Sequence, residues 1–148
     1  MLTSAPTLSR PETLPPSQSF DIIIIGGGIL GCAAAHALGE QGRSILLIER
    51  DWNEPDRIVG ELLQPGGVDA LEILGLRGGL SFFSPIDTLE CIDAVPVHGY
   101  AVFQSKEHVQ LTYPALDRPE RPSGFSFHHG RFVMNLRSAA LAQEGYKS

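Results

Sequence analysis

The feature that most constrains the fold is a run of β-branched residues that leads directly into a glycine-rich turn. Ile22–Ile25 is followed by the sequence GGGILG. The three glycines that match the pattern GxGxxG are Gly26, Gly28 and Gly31. The β-branched run predicts a strand buried on both faces, and the alanine-rich segment Cys32–Leu38 predicts a helix. The folded part of the chain is therefore expected to begin with a strand–turn–helix unit.

Each of these glycines has a separate physical role in such a turn. Gly26 permits the tight turn out of the strand, Gly28 lets the backbone approach a pyrophosphate, and Gly31 allows close packing of helix on strand. The amides at the helix N-terminus favour binding of the phosphate charge. Because glycine-rich turns are common, the residues that follow decide the interpretation.

A second apolar run that ends in an acidic residue supports a nucleotide site. Gly42 is expected to end the helix region, and Ser44–Ile48 predicts a second buried strand. Glu49 follows that strand at the sequence distance where an acidic side chain accepts the ribose hydroxyls of an adenosine. The pattern predicts a site for an ADP-containing cofactor without choosing between NAD and FAD. The alternative is an α/β unit with an incidental surface glutamate.

Composition and charge argue against several other kinds of protein. The formal net charge of −6 argues against a nucleic-acid partner, which needs a clustered basic surface. Ile22–Leu38 is almost wholly apolar, but a membrane span needs about 20 such residues, and this run has glycines in its middle. Residues 1–19, rich in Ser, Thr and Pro, predict a disordered tail without the features of a signal peptide.

The cysteines and histidines show no metal or disulfide pattern. Cys32 and Cys91 lie far apart and are both predicted to be buried packing residues. His128 and His129 form a pair without a third ligand at suitable spacing, so we favour a structural loop there over a metal site. No metal-binding residue is predicted.

The second half of the chain predicts one helix, a hairpin and a final helix. Proline suits the first position of a helix, so the QPGG turn is expected to start the helix Val68–Leu74, with Gly75 as its C-terminal stop. Val97–Phe103 and His108–Tyr113 alternate around a polar turn and predict an antiparallel hairpin. The last predicted helix is Arg131–Gln143.

These segments resemble the squalene epoxidases, also called squalene monooxygenases. The stretch IERDWNEPDRIVGELLQPGGVDALEILGL is similar to that family's ERD, EPDRIVGE and LQPGG elements. Gly99-Tyr100 and the later FHHGRF are similar to its GY and FHxGRF elements. The resemblance runs from about Phe20 to Leu141. It implies an α/β fold, an incomplete Rossmann-like FAD-binding domain of the GR2 type of flavin monooxygenase, over residues 20–148. An antiparallel hairpin layer would begin the substrate-side sheet.

The resemblance also implies cofactor contacts at the nucleotide end of FAD. Ile29 and Leu30 would contact the pyrophosphate through their backbone. Glu49 would hold the adenosine ribose, and Arg50 would flank the adenine.

Further positions are implied at the flavin end. Arg57 would reach the flavin side of the cofactor, and Leu62 would line the isoalloxazine at a position that is aromatic in some members. Arg137 would lie near the phosphate–ribityl chain. The residues alone leave Arg57 and Arg137 as solvated surface charges. For Tyr100 they favour a half-buried strand aromatic, whereas the resemblance makes it the candidate catalytic residue at the substrate or inhibitor cavity.

The implied reaction is epoxidation of squalene to 2,3-oxidosqualene in sterol biosynthesis, with O2 as co-substrate. NADPH would reduce FAD through a partner reductase, and the enzyme would be associated with the endoplasmic reticulum (microsomal) membrane. The chain is expected to be an N-terminal fragment that is inactive alone, and it contains no predicted transmembrane segment. Two alternatives stay open, namely another FAD-dependent monooxygenase or oxidoreductase and a non-catalytic nucleotide-binding fragment.

Overall fold

The computed structural model describes residues 19–58, 61–77, 87–115, 119, 121–143 and 146–147. One unit comprises residues 1–54 and 136–148, and a second comprises residues 55–135. In chain order the elements are β1 (Ile22–Ile25), α1 (Ile29–Gly39), β2 (Ile45–Ile48), β3 (Leu62–Leu63), α2 (Pro65–Ile73), β4 (Val95–Val97), β5 (Gly99–Gln104), β6 (Glu107–Thr112), β7 (Gly124–Ser126), α3 (His129–Leu141) and β8 (Tyr146–Lys147).

The sheet of the first unit is parallel and has the order β1-β2-β8. β1 and β2 pair in register from Ile22↔Ile45 to Ile25↔Ile48. Because parallel neighbours need a crossover connection, α1 links them as the predicted strand–turn–helix unit requires. The carboxyl ends of β1 and β2 therefore meet at one edge, where the glycine-rich turn and Glu49 follow.

The burial of β1 differs from the prediction. Ile22 and Ile24 are half-buried, whereas Ile23 and Ile25 are exposed, so the strand is not buried on both faces. β1 is one of the two outer strands among the described strands of this sheet, and the described residues of the unit leave one of its faces open to solvent. The central strand β2 carries the buried side chains instead.

Glycine ends α1 and α2 as predicted, although both helices begin three residues earlier than the sequence indicates. Gly42 has a φ of +76° and Gly75 a φ of +72°. After α2, the N–H of Gly75 donates to Glu72 O at 3.1 Å and that of Leu76 to Leu71 O at 2.8 Å. A left-handed glycine allows the chain to satisfy the last carbonyls of a helix in this way.

Two antiparallel sheets form the second unit. In one of them β7 lies between β3 and β4, and the other is the predicted hairpin of β5 and β6. The hairpin turn is the two residues Ser105 and Lys106, shorter than the polar turn of four predicted. Val97, predicted to start the hairpin, belongs to β4 and pairs with Gly124 of β7.

The structure differs from the predictions for one cysteine and one histidine. Cys91 is exposed because it lies in a turn, with a φ of +59°, and not in a packed element. Cys32 is buried as predicted, and burial raises the pKa of its thiol to about 11. His129 is the first residue of α3, so the predicted loop at the histidine pair includes only His128.

The described part of the chain contains neither a candidate membrane span nor a cluster of side chains suited to a metal ion. None of its helices combines the length and the apolarity that crossing a membrane requires. None of its groups of histidine, cysteine, aspartate and glutamate could hold a metal ion.

Substitution of Gly31 by alanine is expected to destabilise the chain strongly. A Cβ at this position would lie 1.8 Å from the carbonyl oxygen of Gly26, so the backbone of the turn would have to move. We expect a loss of about 3 kcal/mol or more in the free energy of unfolding, at the upper end of overpacking effects. Denaturant unfolding followed by far-UV circular dichroism measures this loss.

Gly28→Ala is the matched control for that substitution. A Cβ at Gly28 would meet nothing within 4 Å, and its φ of −87° is accessible to alanine. The variant should unfold within about 1 kcal/mol of the wild type, the size of an N-cap effect. Equal stability of the two variants would contradict the packing role of Gly31.

Candidate functional site: the glycine-rich turn and Glu49

The turn after β1 is held to the end of β2 by the backbone. Gly26 has a φ of +108°, a conformation that favours glycine, and its N–H donates to Ile48 O at 2.7 Å. Gly31 is in the first turns of α1, with its Cα close to the Gly26 carbonyl. The helix therefore starts directly above the carboxyl edge of the sheet.

Gly28 leaves an open stretch of backbone at the N-terminus of α1. It is the N-cap residue, it has no side chain to cap the helix, and the first turn contains no acidic residue. The first amides and the partial positive charge of a helix end favour an anion. Since a Cβ here would meet nothing within 4 Å, a phosphate group could come close to this backbone.

The carboxylate of Glu49 is held beside this turn by two backbone amides. Its Oε2 accepts a hydrogen bond from the Gly27 N–H at 2.5 Å, and its Oε1 accepts one from the Asp51 N–H at 3.0 Å. These bonds, that of Asp51 above all, lower the pKa of Glu49 against the opposing effect of desolvation, and the charge of Arg137 adds to the lowering. The group is therefore an oriented, ionised acceptor at neutral pH.

Gly27 is a site residue that the sequence pattern did not single out, because it occupies a variable position of GxGxxG. A Cβ on Gly27 would lie 3.0 Å from Glu49 Cβ and 3.2 Å from its Cγ. Any larger residue would push the carboxylate away from the turn. The one available signal was the third glycine in the run.

Arg137 is buried in the first unit, with 3% of its surface exposed. Its Nε donates to the carbonyl oxygen of Gly27 at 2.9 Å. The two terminal nitrogens donate to the carbonyl oxygens of Asn53 at 2.9 Å and of Asp51 at 3.1 Å. The interpretation of Arg137 as a solvated surface charge is therefore wrong.

Trp52 covers the guanidinium of Arg137. Its ring centroid lies 5.3 Å from the Arg137 Cζ, a distance at which a cation interacts favourably with an aromatic face. Local sequence patterns give no signal for this tryptophan, because its contact depends on a helix more than eighty residues later in the chain.

The other predicted site residues divide between the two units. In the first unit, Ile29 and Leu30 form the start of α1 with exposed side chains, and Arg50 is exposed directly after Glu49. Gly26, Gly28 and Gly31 belong to the turn and the start of α1, and Glu49 and Arg137 both contact Gly27. In the second unit, Arg57 is exposed and Leu62 is a half-buried residue of β3.

Tyr100 belongs to the second unit and lies on β5. Its hydroxyl is hydrogen-bonded by the side-chain amide of Gln64, and its ring meets Tyr113 edge to face with centroids 5.7 Å apart. The side chain is 42% exposed, more than the half-buried strand aromatic predicted from the residues. Tyr100 and Gln110 both line a cavity of about 290 Å³. Gln64, the partner of Tyr100, lies 36 positions away in sequence, beyond the reach of local patterns.

The matches to known proteins agree with one another. Residues 21–56 match the family described as FAD dependent oxidoreductase. The chain is 51% identical, over 95% of its length, to squalene epoxidase erg1 of Aspergillus fumigatus. It is 47% identical, over 86% of its length, to squalene monooxygenase of Mus musculus. The chain is homologous to part of the squalene epoxidases. It spans 28% of the fungal relative's length and 21% of the mouse relative's.

Solved structures agree on the fold of this homologue of squalene epoxidases. PqsL of P. aeruginosa, solved in complex with 2-aminobenzoylacetate, superposes with a TM-score of 0.69 at 20% identity, covering 86% of this chain and 32% of that one. A flavoprotein/dehydrogenase of Cytophaga hutchinsonii superposes with a TM-score of 0.70 at 19% identity. The superposition covers 86% of this chain and 29% of that one. The predicted α/β flavin-monooxygenase fold with an antiparallel layer is confirmed.

Gly28→Ala should weaken nucleotide binding without unfolding the chain. The new Cβ would stand in the open space between the backbone and a pyrophosphate. We expect at least a tenfold loss of affinity for ADP, equivalent to about 1.4 kcal/mol, measured by isothermal titration calorimetry. Gly66→Ala is the control, since a Cβ there also meets nothing within 4 Å but lies on α2. Equal affinities of the wild type and Gly28→Ala would refute the phosphate role of this turn.

Proposed function

We propose that this chain is the cofactor-binding part of a squalene monooxygenase and that its first unit binds the ADP part of FAD. The observation that carries the proposal is the carboxylate of Glu49, 2.5 Å from the Gly27 amide and beside the open backbone of Gly28. One group suits ribose hydroxyls, and the other suits a pyrophosphate.

The residues present fit an adenine dinucleotide in charge and in space. The Glu49 carboxylate is a hydrogen-bond acceptor for two hydroxyl groups of a ribose. The backbone of Gly28, Ile29 and Leu30 would receive the pyrophosphate at the start of α1, where no acidic side chain repels it. Arg50, exposed directly after Glu49, is available to flank the adenine.

Three further residues of the proposal, Arg57, Leu62 and Tyr100, belong to the second unit. By the resemblance to squalene epoxidases, Arg57 would reach the flavin side, Leu62 would line the ring system, and Tyr100 would face the substrate. The hydrogen bond from Gln64 to the Tyr100 hydroxyl and the ring contact with Tyr113 would keep that tyrosine in one orientation.

The reaction proposed for the whole protein is epoxidation of squalene to 2,3-oxidosqualene. FAD, when bound and reduced, supplies the activation of O2 for transfer of one oxygen atom. Squalene has no polar group, so the protein would contribute an apolar cavity and the exclusion of water. Electrons from NADPH through a partner reductase, and association with the endoplasmic reticulum membrane, are parts of the same proposal. Support for the substrate comes from 45–51% identity to squalene epoxidases of several fungi and of rodents.

A segment exchange tests this function directly. Residues 20–141 of this chain replace the matching segment of Aspergillus fumigatus squalene epoxidase erg1, and the purified hybrid is given FAD, NADPH, a reductase and squalene. We expect 2,3-oxidosqualene to form at no less than about a tenth of the parent rate, a difference of about 1.4 kcal/mol in the barrier. Gas chromatography with mass spectrometry measures the product.

A hybrid that also contains Gly28→Ala is the control for this experiment. It should fold like the first hybrid and lose FAD occupancy, which the flavin absorbance reports. A folded hybrid that holds FAD but forms no oxidosqualene would reject squalene epoxidation. A folded hybrid without FAD would reject the cofactor site itself.

Tyr100→Phe in the same hybrid should change turnover or the response to inhibitors while FAD occupancy stays constant. The substitution removes the hydroxyl that Gln64 contacts and keeps the ring that packs on Tyr113. We expect a change of at least about fivefold, roughly 1 kcal/mol, in kcat/KM or in the inhibition constant, the size of one lost hydrogen bond. Phe103→Leu, on the opposite face of β5, is the control. Unchanged kinetics and inhibition would leave Tyr100 with a packing role only.

A further inference from the structure

Arg137 contacts the same two residues that hold the Glu49 carboxylate. The Gly27 N–H and the Asp51 N–H each donate to one oxygen of Glu49, at 2.5 and 3.0 Å. The carbonyl oxygens of these same residues each accept a hydrogen bond from Arg137, at 2.9 and 3.1 Å. One planar guanidinium therefore joins the two backbone segments between which the carboxylate lies.

The loop that follows Glu49 is attached to Arg137 along three consecutive residues. Asp51 and Asn53 accept hydrogen bonds through their carbonyl oxygens, and the Trp52 ring covers the guanidinium between them. The loop also contains a local bond from the Asn53 N–H to the Asp51 side chain at 3.0 Å. Its position relative to the glycine-rich turn thus depends on a side chain from α3.

We propose that Arg137 is a positioning residue that gives the site its selectivity for a ribose with free 2′ and 3′ hydroxyls. It would do so by holding the loop of residues 49–53 against Gly27, so that the Glu49 carboxylate keeps the orientation that two hydroxyl groups require. The inference rests on the proposed function, since it concerns the same ADP site.

This role differs from a direct contact with the phosphate–ribityl chain, which the resemblance to squalene epoxidases implies. A direct contact acts through charge on a phosphate, which lysine can also provide. Bonds to three carbonyl oxygens need the fixed fork of a guanidinium, which lysine lacks. The two roles therefore predict different behaviour for Arg137→Lys and for ligands that differ only in the ribose.

The test compares the affinities of the 148-residue chain for ADP and for 2′,3′-dideoxy-ADP by isothermal titration calorimetry. In the wild type we expect ADP to bind at least about tenfold more tightly, because the hydroxyls donate to a charged acceptor. In Arg137→Met and in Arg137→Lys this ratio should fall to within about twofold of one. The affinity of each Arg137 variant for 2′,3′-dideoxy-ADP should differ from that of the wild type by less than about threefold.

Two further variants complete the design. Arg131→Met removes an exposed arginine from the same helix, one that pairs with Asp93, and it should keep the wild-type ratio. Glu49→Gln should abolish the preference for ADP over 2′,3′-dideoxy-ADP. Adding Arg137→Met to Glu49→Gln should change the ADP affinity by less than about twofold, because both substitutions act through the Glu49 carboxylate.

The outcomes separate this inference from the proposed function. A wild-type ratio that persists in the folded Arg137 variants, with or without a loss of ADP affinity, would overturn the positioning role. Loss of the far-UV circular dichroism of the fold in both variants would also overturn it, since Arg137 would then be a general structural residue. A folded wild-type chain that binds neither nucleotide would reject the proposed function, and the inference with it.

Discussion

The amide of Gly27 and the carboxylate of Glu49 are 22 positions apart in sequence and 2.5 Å apart in space. Their hydrogen bond depends on the in-register parallel pairing of β1 and β2, which brings Ile25 beside Ile48. It depends equally on the absence of a side chain at Gly27, because a Cβ would lie 3.0 Å from Glu49 Cβ. This one contact thus joins a strand pair, a turn and an acidic residue into a single candidate site.

A buried cation strengthens this arrangement. A charge that leaves water costs on the order of several kcal/mol in proteins unless polar groups replace the solvent. At Arg137 the carbonyl oxygens of Gly27, Asp51 and Asn53 provide that replacement, and the Trp52 ring adds a favourable surface. Because the helix α3 supplies the arginine, the surroundings of the glycine-rich turn include a segment from the far end of the chain.

Local patterns were sufficient for most of the elements. The β-branched and alanine-rich runs predicted β1, α1 and β2, and glycine marked the ends of α1 and α2 as the structure has them. Errors occurred where burial depends on neighbours outside the local segment. Ile23 and Ile25 are exposed because the described residues of the first unit leave that face of β1 uncovered, and Cys91 is exposed because it lies in a turn. The apolar residues of a strand do not reveal which face of that strand another segment will cover.

The sequence alone was enough to predict a turn suited to a pyrophosphate and an acidic residue suited to a ribose. Both features depend only on which residue types occur at short spacing. For the turn this is the absence of a Cβ at Gly28, and for the acidic residue it is the carboxylate of Glu49. Three facts emerge only from the folded structure, namely that Arg137 is buried, that the Gly27 amide contacts Glu49 and that Gln64 contacts Tyr100. These facts depend on contacts between segments separated by 22 to 110 positions. Such contacts form only when helix and strand packing brings distant backbone and side-chain atoms within hydrogen-bonding distance.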